Sequence, residues 1–407
     1  MEAGRAQRIG DLHVHFPMHV MAGEADRPLD RDVTLERMTH VRQPPQLRDK
    51  IRATVLWLAS HLGNYERFGG QPRANLQQLE QGHVRLVLSV LYSPFSEIDE
   101  GMFGDPPEDN YWTDLRRQID QVEVRLREHP DRASIVRDAD DLDTTLEGSD
   151  RLAFVHCIEG GFHLGPHPDL IDERVAELSR LGVFYITLAH LFWRRVATNS
   201  NALPFMPDWL YNLVFRQPRG EGLTQLGAAA VEAMYRHRVV VDVSHMRADA
   251  LDETFALLTA LDRRHRADPR DYPVVASHGA YRFGGQRYNL DEPTVCRIAE
   301  RDGVVGLILA RHQLEDGRRR AKKLEQSVDV FCDHAERIAE ITGSYRHVAL
   351  GSDFDGFIKP TMVGLASAAD LPDLRPGLVK RFGSANADAI LFDNAHRVVR
   401  TALAARG

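Results

Sequence analysis

Near the start of the chain stands Arg8-Ile-Gly-Asp-Leu-His-Val-His-Phe-Pro17. An extended segment repeats its faces every two residues, so Asp11, His13 and His15 are expected to point the same way. Neutral imidazoles are the commonest side-chain ligands of zinc-like ions, which makes His13 and His15 a candidate ligand pair. Further along, short apolar runs end again and again in histidine or an acid. His156-Cys157-Ile158-Glu159 closes one, His190 follows Val183–Leu188, and His245 follows Val239–Ser244. His278 follows Val274–Ser277, and Asp353 with Asp355 follows His347–Gly351. One histidine after an apolar run is ordinarily a satisfied core residue. Five such runs ending in His or Glu, and a sixth in Asp, call for a metal site with two ions.

The residue types suit that chemistry. Zinc takes imidazole nitrogen and carboxylate oxygen at about 2.0–2.2 Å and, in catalytic sites, leaves a position for water. Two ions about 3.5–4 Å apart need a bridging anion, and Glu159 can give one oxygen to each. A hydroxide between them is a nucleophile at neutral pH, because metal binding lowers the pKa of water to about 7. An aspartate at the last strand, Asp353 or Asp355, can take its proton and deliver it to a leaving amine, as general base and then acid.

Such residues must be held by a frame. Eight β-rich runs recur, near Ile9–His15, Val84–Leu91, Leu152–Cys157, Val183–Leu188, Val239–Ser244, Val274–Ser277, Val304–Ala310 and His347–Gly351. Most are continuous apolar runs, the pattern of parallel strands buried on both faces. Helical spacing fills the intervals: 222–238 with Thr224 as N-cap, 248–266, 292–301 and 327–341. Strands alternating with helices predict a (β/α)8 barrel, whose catalytic groups gather where the strands end. A doubly wound sheet is the alternative, but no GxGxxG follows the first strand. Two connections exceed ordinary barrel loops, 16–82 with a helix over 47–62, and 191–221 carrying Phe192, Trp193, Trp209 and Tyr211. Both leave from strand C-termini and are expected to wall the pocket. Arg318–Lys323 is expected to be a solvated basic helix face.

Bulk properties narrow the class. At 407 residues the chain is expected to form one barrel domain. Its formal charge of −8 disfavours a nucleic-acid partner. Cys157, Cys296 and Cys332 are odd in number and far apart, which argues against a disulfide framework and fits a reducing compartment. No signal-peptide core or long apolar run occurs, so a cytoplasmic protein without a membrane partner is expected.

The chain resembles the membrane dipeptidase (renal dipeptidase) family, peptidase M19, among the amidohydrolase-like barrels. The resemblance runs from Asp11-Leu-His-Val-His-Phe-Pro17 to Asp393-Asn-Ala-His-Arg-Val398. It passes through Ile158-Glu159-Gly160-Gly161, Gly222-Leu223-Thr224, Val241-Asp242-Val243-Ser244-His245, Ala276-Ser277-His278 and Gly351-Ser352-Asp353-Phe354-Asp355-Gly356. It implies two zinc ions, with His13 and His15 on one, Glu159 bridging, and His245 with His278 on the other. It further implies Asp353 as proton shuttle, and His190 as the group that polarises the substrate carbonyl. An arginine after His278 would bind the dipeptide's terminal carboxylate, with Arg287 the candidate and Arg282 the substitute. Asp242 and Asp355 read as supporting residues. A homodimer is in keeping with the family.

The departures from the family pattern are local. His15 stands where the family has Asp, Arg287-Tyr288-Asn289 where it has Arg-Asn, and Leu-Phe-Trp-Arg-Arg follows His190. The expected activity is hydrolysis of a dipeptide or dipeptide-like amide. Hydrolysis of a lactone, cyclic amide or ester, and a catalytically reduced binding barrel, are the alternatives.

Overall fold

Among the described residues, nine strands, all paired in parallel, run through the chain. They are β1 Ile9–Val14, β2 Val84–Leu91, β3 Ala133–Ile135, β4 Leu152–Glu159 and β5 Tyr185–Thr187. They continue as β6 Val240–Asp242, β7 Val274–Gly279, β8 Val304–Leu307 and β9 Val348–Leu350. The computed structural model describes residues 7–21, 72–93, 97, 107–203, 206–356 and 360–406.

The order β2-β1-β9-β8-β7-β6-β5-β4 closes on itself through β2–β4 pairing, giving the eight-stranded (β/α)8 barrel. Every one of the eight expected runs is a barrel strand. The short β3 is additional: it pairs with Leu152–Phe154 at the lower part of β4, below the residues that pair with β5. Alternation explains the layers. Ala153, Val155 and Cys157 of β4, Val240 of β6 and Val275 of β7 belong to the inner core, whereas Phe154, Ile158, Val241 and Val274 pack under the surrounding helices.

Helices fall where their caps say they should. Thr224 accepts the N–H of Gly227 and opens the helix Gln225–His237, and Asp291 caps Glu292–Glu300. The expected segments 248–266 and 327–341 are the helices Ala248–His265 and Leu324–Thr342. Arg318–Lys323 is not a helix face but the loop before Leu324: Arg318 lies over the Phe283 ring and pairs with Asp333. The helix Asn394–Ala404 closes the end of the barrel opposite the strand C-termini, where Arg397 donates to the carbonyls of Asp302 and Arg346 just before β8 and β9. The helix expected over 47–62 lies outside the described residues, as does most of 16–82. The cysteines are unpaired, and among the described residues no helix is long and apolar enough to cross a membrane.

Candidate metal centre and active site

All the candidate ligands meet at the C-terminal mouth of the barrel, around one buried carboxylate. Glu159, last residue of β4, has Oε1 at 3.4 Å from His13 Nε2 and at 3.6 Å from both His245 Nε2 and His278 Nε2. Its Oε2 lies 3.3 Å from His15 Nε2 and 3.2 Å from His190 Nε2. Asp353 Oδ1 stands 3.2 Å from His15 Nε2 and 3.8 Å from His13 Nε2. Two groups stand apart, His13, His15 and Asp353 on one side and Glu159, His245 and His278 on the other; a third, His13, Asp242 and His278, shares members with both.

The local backbone is unusual where these side chains leave their strands. His245 and Asp353 are held at φ of 65° and 59°, a left-handed conformation that non-glycine residues rarely adopt. Strain of this kind is kept where it serves a site. Gly160, at φ 100°, turns the chain directly after Glu159, and a Cβ there would meet the Phe162 ring at 2.2 Å. A Cβ on Gly356 would come within 2.1 Å of Asp353 Oδ1, so glycine leaves room for that carboxylate.

One expectation fails at Asp11. The pairing of β1 is irregular between Asp11 and Val14, and Leu12 joins the inner core. The Asp11 carboxylate therefore does not share the site with His13 and His15. It accepts the N–H groups of His13 and Ser352 and ties β1 to the segment after β9. Burial lifts its pKa to about 6. Asp355 similarly accepts the backbone N–H groups of Arg73 and Ala74.

A polar layer beneath the site orients the imidazoles. Ser277 Oγ lies 2.9 Å from the Nδ1 atoms of both His13 and His278, and donates to Asp242 Oδ2 at 2.6 Å. Tyr185 donates to the carbonyl of Leu12, with its oxygen also 2.8 Å from His13 Nδ1. Both imidazoles thus carry hydrogen on Nδ1 and turn a bare Nε2 toward the centre. Burial pushes His13, His245 and His278 below the ordinary histidine range, toward the neutral form that ligates metals.

The other side of the site is organised by a residue that strand-end reasoning does not find. Glu97, fully buried, takes His190 Nδ1 at 2.6 Å, the Tyr92 hydroxyl at 2.6 Å and the Phe192 N–H at 2.9 Å. It follows no barrel strand directly, and only folding brings it to His190. Burial disfavours charge on His190, but Glu159 and Glu97 outweigh it and raise its pKa. Burial equally opposes His15, whose pKa is nevertheless carried to about 10 by its contacts with Asp353 and Glu159. Burial raises Asp353, while the imidazoles around Glu159 overcome its burial and hold it well below the usual carboxylate range.

Do these residues fit metal ions? Neither oxygen of Glu159 accepts a well-formed hydrogen bond, although both are buried. His245 Nε2 and His278 Nε2 converge to 2.9 Å, and His13 Nε2 and His15 Nε2 to 3.2 Å. Imidazole nitrogens converging around an unsatisfied carboxylate are what ligands to shared cations require, and the nitrogen and oxygen donors suit zinc.

Arg287 does not join them. Its side chain is 77% exposed and its nearest carboxylate, Asp208, is 4.0 Å away. Arg282 is turned onto the carbonyls of Asn289 and Arg287. The loop instead sends in Tyr288, whose ring meets that of His245 at 4.8 Å and whose hydroxyl donates to the carbonyl of His278. The segment 191–221 does form a wall: Leu191, Phe192 and Tyr211 cluster with Tyr288, while Trp209 is exposed.

A parallel barrel carrying buried histidines and carboxylates at its strand ends defines the class, a metal-dependent hydrolase of the barrel type. The sequence description of the membrane dipeptidases, peptidase family M19, matches residues 36–406, and the chain belongs to that family of metallo-dipeptidases. Among relatives, it is 26% identical to dipeptidase verJ of Clonostachys rogersoniana over 310 residues, 75% of this chain and 70% of that one. It is also 26% identical to an uncharacterized dipeptidase of Schizosaccharomyces pombe over 353 residues, 84% of this chain and 72% of that one. The fold is shared with a crystal structure of an M19 dipeptidase, at TM-score 0.68 and 19% identity, over 98% of this chain and 100% of the other. It is shared too with a Rhodobacter sphaeroides metallopeptidase liganded with a phosphinate mimic of L-Ala-D-Ala, at TM-score 0.66 and 18% identity, over 97% and 99% of the chains.

Proposed function

We propose that the site binds two zinc ions and hydrolyses the amide bond of a dipeptide or dipeptide-like substrate. The observation that carries this reading is the position of Glu159, one buried carboxylate with Oε2 toward His15 and Oε1 toward His13, His245 and His278, so that it touches both ligand groups. His13 and His15 would hold one ion, His245 and His278 the other, with Glu159 shared. When bound, the ions supply an activated water and polarise the scissile carbonyl.

The chain's own residues do the rest. Asp353, lifted by burial, accepts a proton from the attacking water on its carboxylate and returns it to the leaving amine nitrogen. His190 has Nδ1 fixed on Glu97, which leaves Nε2 turned toward Glu159 and the centre, placed to donate to the carbonyl oxygen as negative charge develops there. Tyr288 and the 191–221 wall exclude water from the His245 side.

The test is hydrolysis of a dipeptide panel, including D-residues at the second position, by zinc-loaded enzyme. Turnover that chelation abolishes and zinc restores is expected. No turnover of any small amide by enzyme holding two zinc ions would overturn the reading.

A further inference from the structure

A cavity of about 670 Å³ whose lining includes residues close in sequence to His245 and Tyr288 has an unusual composition: Asn212, Arg216, Arg219, Arg247, Asp249 and Arg287 are among its walls. Four guanidiniums there face a single carboxylate, in a chain whose net charge is −8. That carboxylate is already engaged, since Asp249 pairs with Arg247 and also accepts from Thr198. Arg216 and Arg219 make no ion pair or hydrogen bond among the described residues. Arg287 has only Asp208, at 4.0 Å.

The cavity is joined to the metal centre through short stretches of chain. Arg247 follows His245 by two residues, and Arg287 precedes Tyr288, the residue that closes on the His245 ring. Ser200 ties these walls together: its N–H donates to the carbonyl of His245, and its hydroxyl lies 3.1 Å from the Met246 carbonyl and 3.4 Å from that of Arg287. Uncharged Tyr288 borders the His245 ring, and Arg287, whose carbonyl Ser200 holds, and Arg247, next to the Met246 that Ser200 also holds, belong to the cavity lining.

We propose that this arginine-lined cavity is an anion-binding subsite that selects substrates carrying an acidic group beyond the α-carboxylate, such as a dipeptide ending in glutamate. A planar guanidinium fork matches a carboxylate in two-point contact, and guanidiniums without partners give up no existing ion pair to bind one. The cavity is open to solvent, so salt screens the attraction. This selectivity rests on the dipeptidase reading of the metal centre.

The experiment compares kcat/KM for Ala-Glu and Ala-Gln, a pair nearly equal in size and differing in the side-chain charge. The wild type is expected to prefer Ala-Glu at least tenfold at low ionic strength, with the preference shrinking as salt rises. The double variant Arg216→Gln/Arg219→Gln should bring the ratio to within threefold of one. Glutarate binding, followed by titration calorimetry, gives an arm independent of turnover and should weaken at least tenfold in the double variant. A wild-type ratio near one, or a ratio and glutarate affinity untouched by the double variant, would overturn the subsite. If neither dipeptide is cleaved while glutarate binding depends on these arginines, the hydrolytic reading fails and the anion subsite stands.

Discussion

The two ends of the barrel solve opposite problems. At the closed end, Leu88, Val155, Val240, Val275 and Val304 pack with Val398 and Leu403 of the last helix into an apolar core. At the open end, six buried groups of alternating character stand within 3.8 Å of one another or of Glu159, and several of their atoms lack a hydrogen-bond partner. Burial without partners costs stability. The same chain thus stores its stability at one end and keeps unmet binding capacity at the other, as barrel enzymes are built to do.

Substitutions at the two ends should separate activity from stability. Glu159→Gln is expected to lower kcat by on the order of 10³-fold, since it withdraws the charge both ligand groups share. Steady-state kinetics checks this. Asp353→Asn removes the proton carrier but leaves most ligands in place, so kcat should fall by about 10²–10⁴-fold while bound metal is retained. Kinetics and elemental analysis on one preparation decide it. Ser277→Ala removes the hydroxyl that contacts both His13 and His278, and should weaken zinc at both groups by about 10–100-fold, read by competition with a chelator. Weakening of one group alone would show that Ser277 is not their common brace. Finally, Val155→Ala at the closed end should cost about 2 kcal/mol of stability by denaturant unfolding, with kcat per folded molecule within about twofold of wild type.

The same contrast explains what could be read from sequence. The strands were legible because a doubly buried parallel strand must be a continuous apolar run, and Val84–Leu91 or Val274–Ser277 has no other way to be buried. His190, His245 and His278 were legible because each follows such a run directly. Glu97 was not, since it follows no barrel strand directly and only folding brings it to His190. Asp11 misled because the irregularity of β1 between Asp11 and Val14 breaks the alternation on which its direction was inferred. Arg287 misled for a related reason: one residue of register in a loop exchanges the side chain turned inward for the one turned out, and Tyr288 took the inner position. β3 is too short for its pattern to stand out.

The proposed function requires Glu159 to join two ligand groups into one metal pair. Zinc content per chain, measured by elemental analysis for wild type and Glu159→Ala prepared side by side, tests it most directly. Two equivalents in the wild type and at most one in the variant are predicted; equal metal content in the two would contradict it.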